Sequence, residues 1–274
     1  MSAHVLPQFS LEGRTAVVSG GANGLGLAIV EALAEAGANV AILFKSSPAA
    51  HEAAKKVAVE YNVKCNAFQV DVTQPELVES IINRIVKEFN GRLDCFIANT
   101  GTAWMETSVL DSSIEHYRHV MATNLDSVYF CAKAAGAHWR RQAEEQTTIT
   151  GEKLEGFERG SFVATSSMSG HIVNFPHIQT AYNASKAGVT HMCKSLAVEW
   201  ADFARVNVVS PGFIESGLTA AVSEDIKDSL RAKTPLKRVG TLKELKGVYL
   251  FLASDASNFS TGTDVVVDGG YRLW

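Results

Sequence analysis

Short, continuously apolar runs rich in β-forming residues alternate with longer helical patterns along the whole chain, and this alternation restricts the fold more than any other feature. Strands are expected at 15–19, 39–44, 65–70, 93–98, 161–166, 205–210 and 264–268. Helices are expected at 25–37, 48–61, 75–89, 113–141 and 180–201. Gly37 suits the stop after the first of these, and Pro75 suits the first turn of a strongly amphipathic segment. Strands that are apolar throughout need cover on both faces, so they belong in a parallel sheet with helices on either side. Right-handed crossovers then make an α/β, doubly wound sheet of about seven strands.

The 274 residues are enough to bury one large core, and no linker or repeat divides residues 1–274. With 46% hydrophobic and 20% charged residues the chain is globular, not disordered. A net charge of −4 argues against a broad nucleic-acid or anionic-membrane surface. No run is long and apolar enough to cross a bilayer, and MSAHVLPQFSLEGR has no secretory pattern, so a cytoplasmic location is expected. Cys65, Cys95, Cys131 and Cys193 lie far apart and read as buried thiols. The eight histidines form no ligand pattern, and no metal site is expected. One polar stretch, 142–160, exceeds the usual connection between a helix and a strand and reads as a surface insertion.

Chemistry concentrates where strands end. The first strand runs through Gly20, Gly21, Ala22 and Asn23 into Gly24, Leu25 and Gly26 at the start of a helix. Glycines there permit a tight turn and close approach of a pyrophosphate to the helix amino end. The second strand ends without the acidic residue that holds ribose hydroxyls, and offers Lys45 and Ser46 instead. That suits a 2′-phosphate, hence NADPH over NADH, although a solvent-facing lysine is the plainer alternative. Asp71 and the amide of Val72 stand at the end of the third strand, placed to meet the adenine. The fourth strand ends in Asn99, Thr100 and Gly101, and the fifth in Ser166, Ser167, Met168 and Ser169. Tyr182 and Lys186 then share one helix face, where an ammonium would lower a phenol pKa from about 10.

Taken in order, the glycine turn, the Asn-x-Gly at 99–101, Asn124, the serine run, Tyr182-x-x-x-Lys186 and Pro211-Gly212 resemble the short-chain dehydrogenase/reductase family over nearly the whole chain. The stretch from Ser166 to Gly217 looks especially like fungal NADPH-dependent sorbose reductases, mannitol 2-dehydrogenases and related carbonyl reductases. The resemblance implies a single-domain Rossmann-type fold and an oxidoreductase acting between a ketone and a secondary alcohol. It implies that Tyr182 is the proton donor, that Lys186 lowers its pKa and binds the nicotinamide ribose, and that Asn124 holds a water beside Lys186. Ser167, which directly ends its strand, is the serine expected to steady the carbonyl oxygen, with Ser169 supporting the loop. Pro211, Gly212 and Phe213 would line the nicotinamide, the Ile214 amide would hold its carboxamide, and Ser216 stands near it.

Residues 215–233 are expected to form a lid. Trp104, Ser169, His171, Val173, Asn174 and Phe213 are candidate pocket walls, each with ordinary packing as the alternative. The insertion is longer than sugar-polyol members lead one to expect, so a ketoreductase tailoring a fungal natural product is the second enzymatic reading. A cofactor-binding sensor or scaffold without catalysis is the reading from another class. The implied partner is a small carbonyl or alcohol substrate, and the implied assembly a homotetramer or homodimer.

Overall fold

In a computed structural model, which describes residues 4–104, 108–215, 217 and 224–273, the alternation becomes a seven-stranded sheet of order β3-β2-β1-β4-β5-β6-β7. The strands are β1 Thr15–Ser19, β2 Asn39–Phe44, β3 Cys65–Gln69, β4 Cys95–Ala98, β5 Gly160–Thr165, β6 Ala204–Pro211 and β7 Asp264–Val267. Every neighbouring pair is parallel. Helices α1 Gly24–Glu35, α2 Ala50–Tyr61, α3 Pro75–Glu88, α4 Ile114–Met121, α5 Ser127–Glu145 and α6 Thr180–Glu199 follow in chain order, with α7 Glu224–Lys233 and α8 Lys243–Ala253 near the end.

Successive strand residues point to opposite faces, so each strand feeds two cores. Val17, Phe96, Phe162 and Val206 pack with Ile82, Val128, Val189 and Leu196 from α3, α5 and α6. Ala16, Val18, Ile97 and Val163 pack with Ile29, Leu33, Val57, Leu245 and Tyr249 from α1, α2 and α8. Each large apolar side chain so buried contributes about 1.5–3 kcal/mol against exposure.

The structure redraws three stretches. The single helix expected over 113–141 is two helices joined by a π-helical turn, Ala122–Asp126, and the turn carries Asn124. Such single-turn irregularities gather at functional sites. The polar stretch at 142–160 is anchored to the body of the protein: Leu154 and Phe157 are buried in the first core, and the Gln142 carboxamide grips the main chain of Leu93 at 2.8 Å in both directions. Helix α8 is absent from the sequence reading. Its run KELKGVYLFLA is interrupted by Gly247 and has no side-chain cap, and only packing against α1 and β5 makes the helix clear.

Candidate active site

The order of strand addition reverses at the β1/β4 boundary, since β2 and β3 lie to one side of β1 and β5 to β7 lie beyond β4. The crevice outside the carboxyl ends of two such strands is the natural ligand site of an open α/β sheet. A cavity of about 480 Å³ lies there. Its wall is built from the β1–α1 turn, the end of β4, the end of β5 with the start of α6, and the segment after β6.

The turn is shaped by what it must admit. Gly20 has φ of +65°, and a side chain on Gly26 would overlap the carbonyl of Gly20. Asn23 flanks α1 in extended conformation without capping it, so the first-turn N–H groups face the cavity unclaimed by that side chain. Free amides, a favourable helix dipole and no side chains in the way fit a pyrophosphate. The ends of β1 and β4 are tied by Ser19, whose hydroxyl accepts from the amides of Asn99 at 3.0 Å and Thr100 at 3.1 Å. Asn99 in turn accepts from Thr165 at 3.2 Å, and Thr165 meets the buried Tyr249 hydroxyl at 2.8 Å. The strand ends are thus one braced rim.

Ser167, Tyr182 and Lys186 converge on this rim, and all three line the cavity. The Ser167 hydroxyl accepts from the Ser169 amide at 3.1 Å and stands beside the Tyr182 phenol. The Lys186 ammonium lies 5.7 Å from the Tyr182 ring centre and donates to the Thr165 carbonyl at 2.9 Å. Gly101 borders the Lys186 nitrogen and the Asn124 carboxamide oxygen, which a side chain there would meet in ordinary contact at 3.5 and 3.4 Å. Ser166 clamps β5 to α6 by donating to the Lys186 carbonyl and accepting from Thr190, both at 2.9 Å. Gly170 lets the same loop lie directly on the α6 backbone.

The expected electrostatics are corrected here. Burial raises the Tyr182 phenol above its ordinary value, and the Ser167 contact only partly offsets this. Burial also pushes Lys186 down to about 8. In this enclosed pair desolvation outweighs the mutual attraction that the helical spacing implied.

Several expected residues take other positions. Trp104 is not in the cavity wall; it is buried with Val120 and Ala181, behind Tyr182. His171 turns away to Asp264 on β7 at 2.7 Å, because the loop after Gly170 crosses toward that edge of the sheet. Asn174 is fully buried beneath the loop and accepts from Gln179 at 2.8 Å, and Val173 faces solvent. The Asn124 carboxamide is committed at both ends, accepting from the Thr102 amide at 2.7 Å and donating to the Thr102 carbonyl and the Ser185 hydroxyl. Its side chain is a strut between the β4 loop and α6. Lys45 forms an ion pair with Asp71 at 2.7 Å, and neither these nor Ser46 and Val72 line the cavity. Burial raises the Asp71 pKa, but Lys45 and Thr73 overcome it and hold the carboxyl below its usual value.

Gly20, Asn23, Gly24, Leu25, Gly26, Asn99, Gly101, Ser169, Pro211, Gly212, Phe213 and Ile214 do line the cavity. Ser216 falls outside the described residues, as does 218–223 of the expected lid. Its remaining helix, α7, buries Leu230 against Met168 and Tyr271, with Phe213 packed alongside. His177 and Gln179 also line the cavity and escaped the sequence reading. Gln179 precedes Tyr182 by three residues, and that helical spacing was the available signal. Among the described residues no three His, Cys, Asp or Glu side chains are grouped to hold a metal, and no helix is long and apolar enough to cross a membrane.

Comparison with known proteins places this geometry. A family model described as enoyl-(acyl carrier protein) reductase matches residues 20–272. An L-xylulose reductase from Hypocrea jecorina is 56% identical over 269 residues, covering 98% of this chain and 93% of that protein. An NADP-dependent mannitol dehydrogenase, also from Hypocrea jecorina, is 42% identical over 270 residues, covering 97% and 95%. Among solved structures, an NADPH-dependent 3-quinuclidinone reductase from Rhodotorula rubra superimposes with a TM-score of 0.91 at 39% identity, covering 100% of this chain and 97% of that one.

Proposed function

Since this chain belongs to the short-chain dehydrogenase/reductase family and is an NADP-dependent oxidoreductase acting between C=O and CH–OH groups, we propose that it reduces a ketose or related polyhydroxy ketone to the polyol. The observation that carries the reading is the convergence of Ser167, Tyr182 and Lys186 on one cavity beside a phosphate-shaped helix start. The relatives named for L-xylulose and mannitol support the sugar-derived substrate class.

The residues present fit NADPH. Gly20 to Gly26 would receive the pyrophosphate, Lys45 and Ser46 the 2′-phosphate, and Asp71 with the Val72 amide the adenine. Lys45 then exchanges its Asp71 partner for a phosphate within the same small region. Asn99 and Gly101 would flank the cofactor, and Pro211, Gly212, Ile214 and Ser216 would enclose the nicotinamide. When bound, the cofactor supplies the hydride.

The protein supplies position and a proton. Tyr182, held protonated by burial, gives its hydroxyl proton to the substrate carbonyl oxygen. Ser167 accepts from the Ser169 amide, and its own proton, turned toward the Tyr182 phenol, is in place to be donated to the same oxygen, a preorganised dipole where negative charge develops. Lys186 spends one N–H on Thr165 and keeps the others for the cofactor ribose and the forming phenolate. Asn124 braces the helix that carries both residues. Phe213 lines the cavity and packs beside Leu230 of α7, and 142–160 leads into the opposite end of β5.

Tyr182→Phe tests the assignment. NADPH oxidation in the presence of fructose, sorbose or xylulose should fall by about 100-fold or more, while NADPH binding, read by fluorescence, survives. Retained activity would remove Tyr182 as proton donor. Tight NADPH binding by the unmodified protein with no turnover of any carbonyl would favour the sensor.

A further inference from the structure

The start of α6 holds a polar group that neither catalysis nor helix capping explains. Gln179 occupies the N-cap position of α6, yet its side chain makes no cap hydrogen bond. The carboxamide nitrogen instead donates to the Ser169 hydroxyl at 2.9 Å and to the Asn174 carboxamide oxygen at 2.8 Å. Both partners are buried, Ser169 at 5% exposure and Asn174 at 0%, so this end of the carboxamide is held by groups that water does not reach. The carboxamide oxygen accepts no hydrogen bond among the described residues.

Gln179 lines the same cavity as Ser167, Tyr182 and Lys186. It lies three residues before Tyr182, so both sit on neighbouring turns at the end of α6 that faces the cavity. Ser169 is engaged with Gln179, Ser167 with the Ser169 amide and Tyr182, and Lys186 with Thr165, while His177 on the same wall has its Nδ1 buried without a partner. An acceptor pinned by its own amide, lining the cavity with no donor among the described residues, is placed to take a hydrogen bond from a hydroxyl and gains nothing from an apolar carbon.

We infer that Gln179 is the specificity-determining residue of this cavity: its carboxamide, fixed by Ser169 and Asn174, accepts a hydrogen bond from a substrate hydroxyl close to the reacting carbonyl. This rests on the ketose reading above and adds which residue selects for the hydroxyl. It also accounts for the buried Asn174, which holds Gln179 in place without touching substrate, making it a positioning residue. A simple ketone leaves the acceptor unpaired in the closed site, and a hydroxyketone satisfies it.

Steady-state kinetics on Gln179→Leu and Gln179→Glu, with fructose, xylulose and cyclohexanone as substrates, tests the inference. Leucine removes the acceptor at similar size and should lower kcat/KM for both ketoses by about tenfold, chiefly through KM. Its kcat/KM for cyclohexanone should stay within about twofold, which also reports a folded site. Glutamate keeps an acceptor oxygen, and the orphaned amide nitrogen of Asn174 can meet it. That variant should preserve the preference for ketoses over cyclohexanone. Equal losses on all three substrates in the leucine variant, or a loss confined to kcat, would make Gln179 a brace for the loop and overturn the inference. So would unchanged ketose kinetics, or a glutamate variant that loses ketose preference as far as leucine does. If the unmodified enzyme reduces cyclohexanone but neither ketose, the ketose reading fails and takes the inference with it; ketose turnover insensitive to Gln179 sinks the inference alone.

Discussion

Two titrating groups at the centre of the site are pulled by burial toward their neutral forms. The Tyr182 phenol is raised and the Lys186 ammonium is lowered to about 8. A raised phenol keeps its proton through neutral pH, which is the state a donor needs for reduction. Reduction should therefore run level from about pH 6 to 7 and fall through pH 8 and above as Lys186 and then Tyr182 lose protons, whereas alcohol oxidation should gain with alkalinity. Initial rates in both directions across that range check this, and reduction that increases above pH 8 would contradict it. Lys186 also bears on stability. Its folded pKa lies below the ordinary 10.5, so the charged form is disfavoured on folding, fully so below pH 8. Between 8 and 10.5 the unfolded chain holds the proton and the folded one does not, so stability rises with pH there. The shift corresponds to about 3 kcal/mol. Lys186→Met should abolish reduction yet unfold at higher denaturant than the parent at pH 7, and the gap should narrow toward pH 10. A variant less stable than the parent at pH 7 would show that the Thr165 contact outweighs desolvation.

At the scale of elements, close approach between neighbours fixes which positions tolerate a methyl group. Gly160 opens β5 under the indole of Trp139, which is fully buried in α5 and donates to the Leu93 carbonyl at 3.0 Å. A methyl on Gly160 would overlap that ring. Gly160→Ala should cost about 1–3 kcal/mol, seen as a lower denaturant midpoint at unchanged slope. Gly247, inside α8, has nothing within 4 Å of where its side chain would stand. Gly247→Ala should add about 0.5–1 kcal/mol, because glycine in a helix interior loses more freedom on folding. The same residue type thus predicts opposite signs, and only the neighbour decides between them. Equal shifts in both variants would show that the Trp139 indole does not pack on Gly160.

For the whole molecule, the functional cavity sits where the two halves of the sheet meet, and ion pairs between distant segments fasten the body around it. Arg14 grips Asp255 with two hydrogen bonds at 2.9 and 2.5 Å, and Lys246 of α8 reaches Glu31 of α1 at 2.6 Å. A ligand held across the β1/β4 boundary stabilises both halves together, by about 2.7 kcal/mol at a hundredfold excess over Kd. NADPH should therefore raise the melting temperature in one cooperative transition. NADH at equal concentration should raise it less, since Lys45 and Ser46 have no phosphate to bind. Equal shifts would show that these residues do not discriminate the cofactors.

The sequence by itself determined the alternating sheet, its seven strands, the glycine turn and the Tyr182/Lys186 pair, because these are local signals: period, turn chemistry and helical spacing act within a few residues. All seven strands lie within two residues of their expected ends, and β1 and β2 coincide with them. The wall of the substrate cavity was decided only by tertiary structure. Trp104, His171 and Asn174 have the chemistry of pocket residues, but their orientation depends on partners far away in the chain: Ala181 and Tyr182 for Trp104, Asp264 for His171. Gln179 was unremarkable in the sequence until Ser169 and Asn174 were found holding it. The direction of the pKa shifts was likewise invisible, since desolvation is set by everything that surrounds a group and spacing reports only one neighbour.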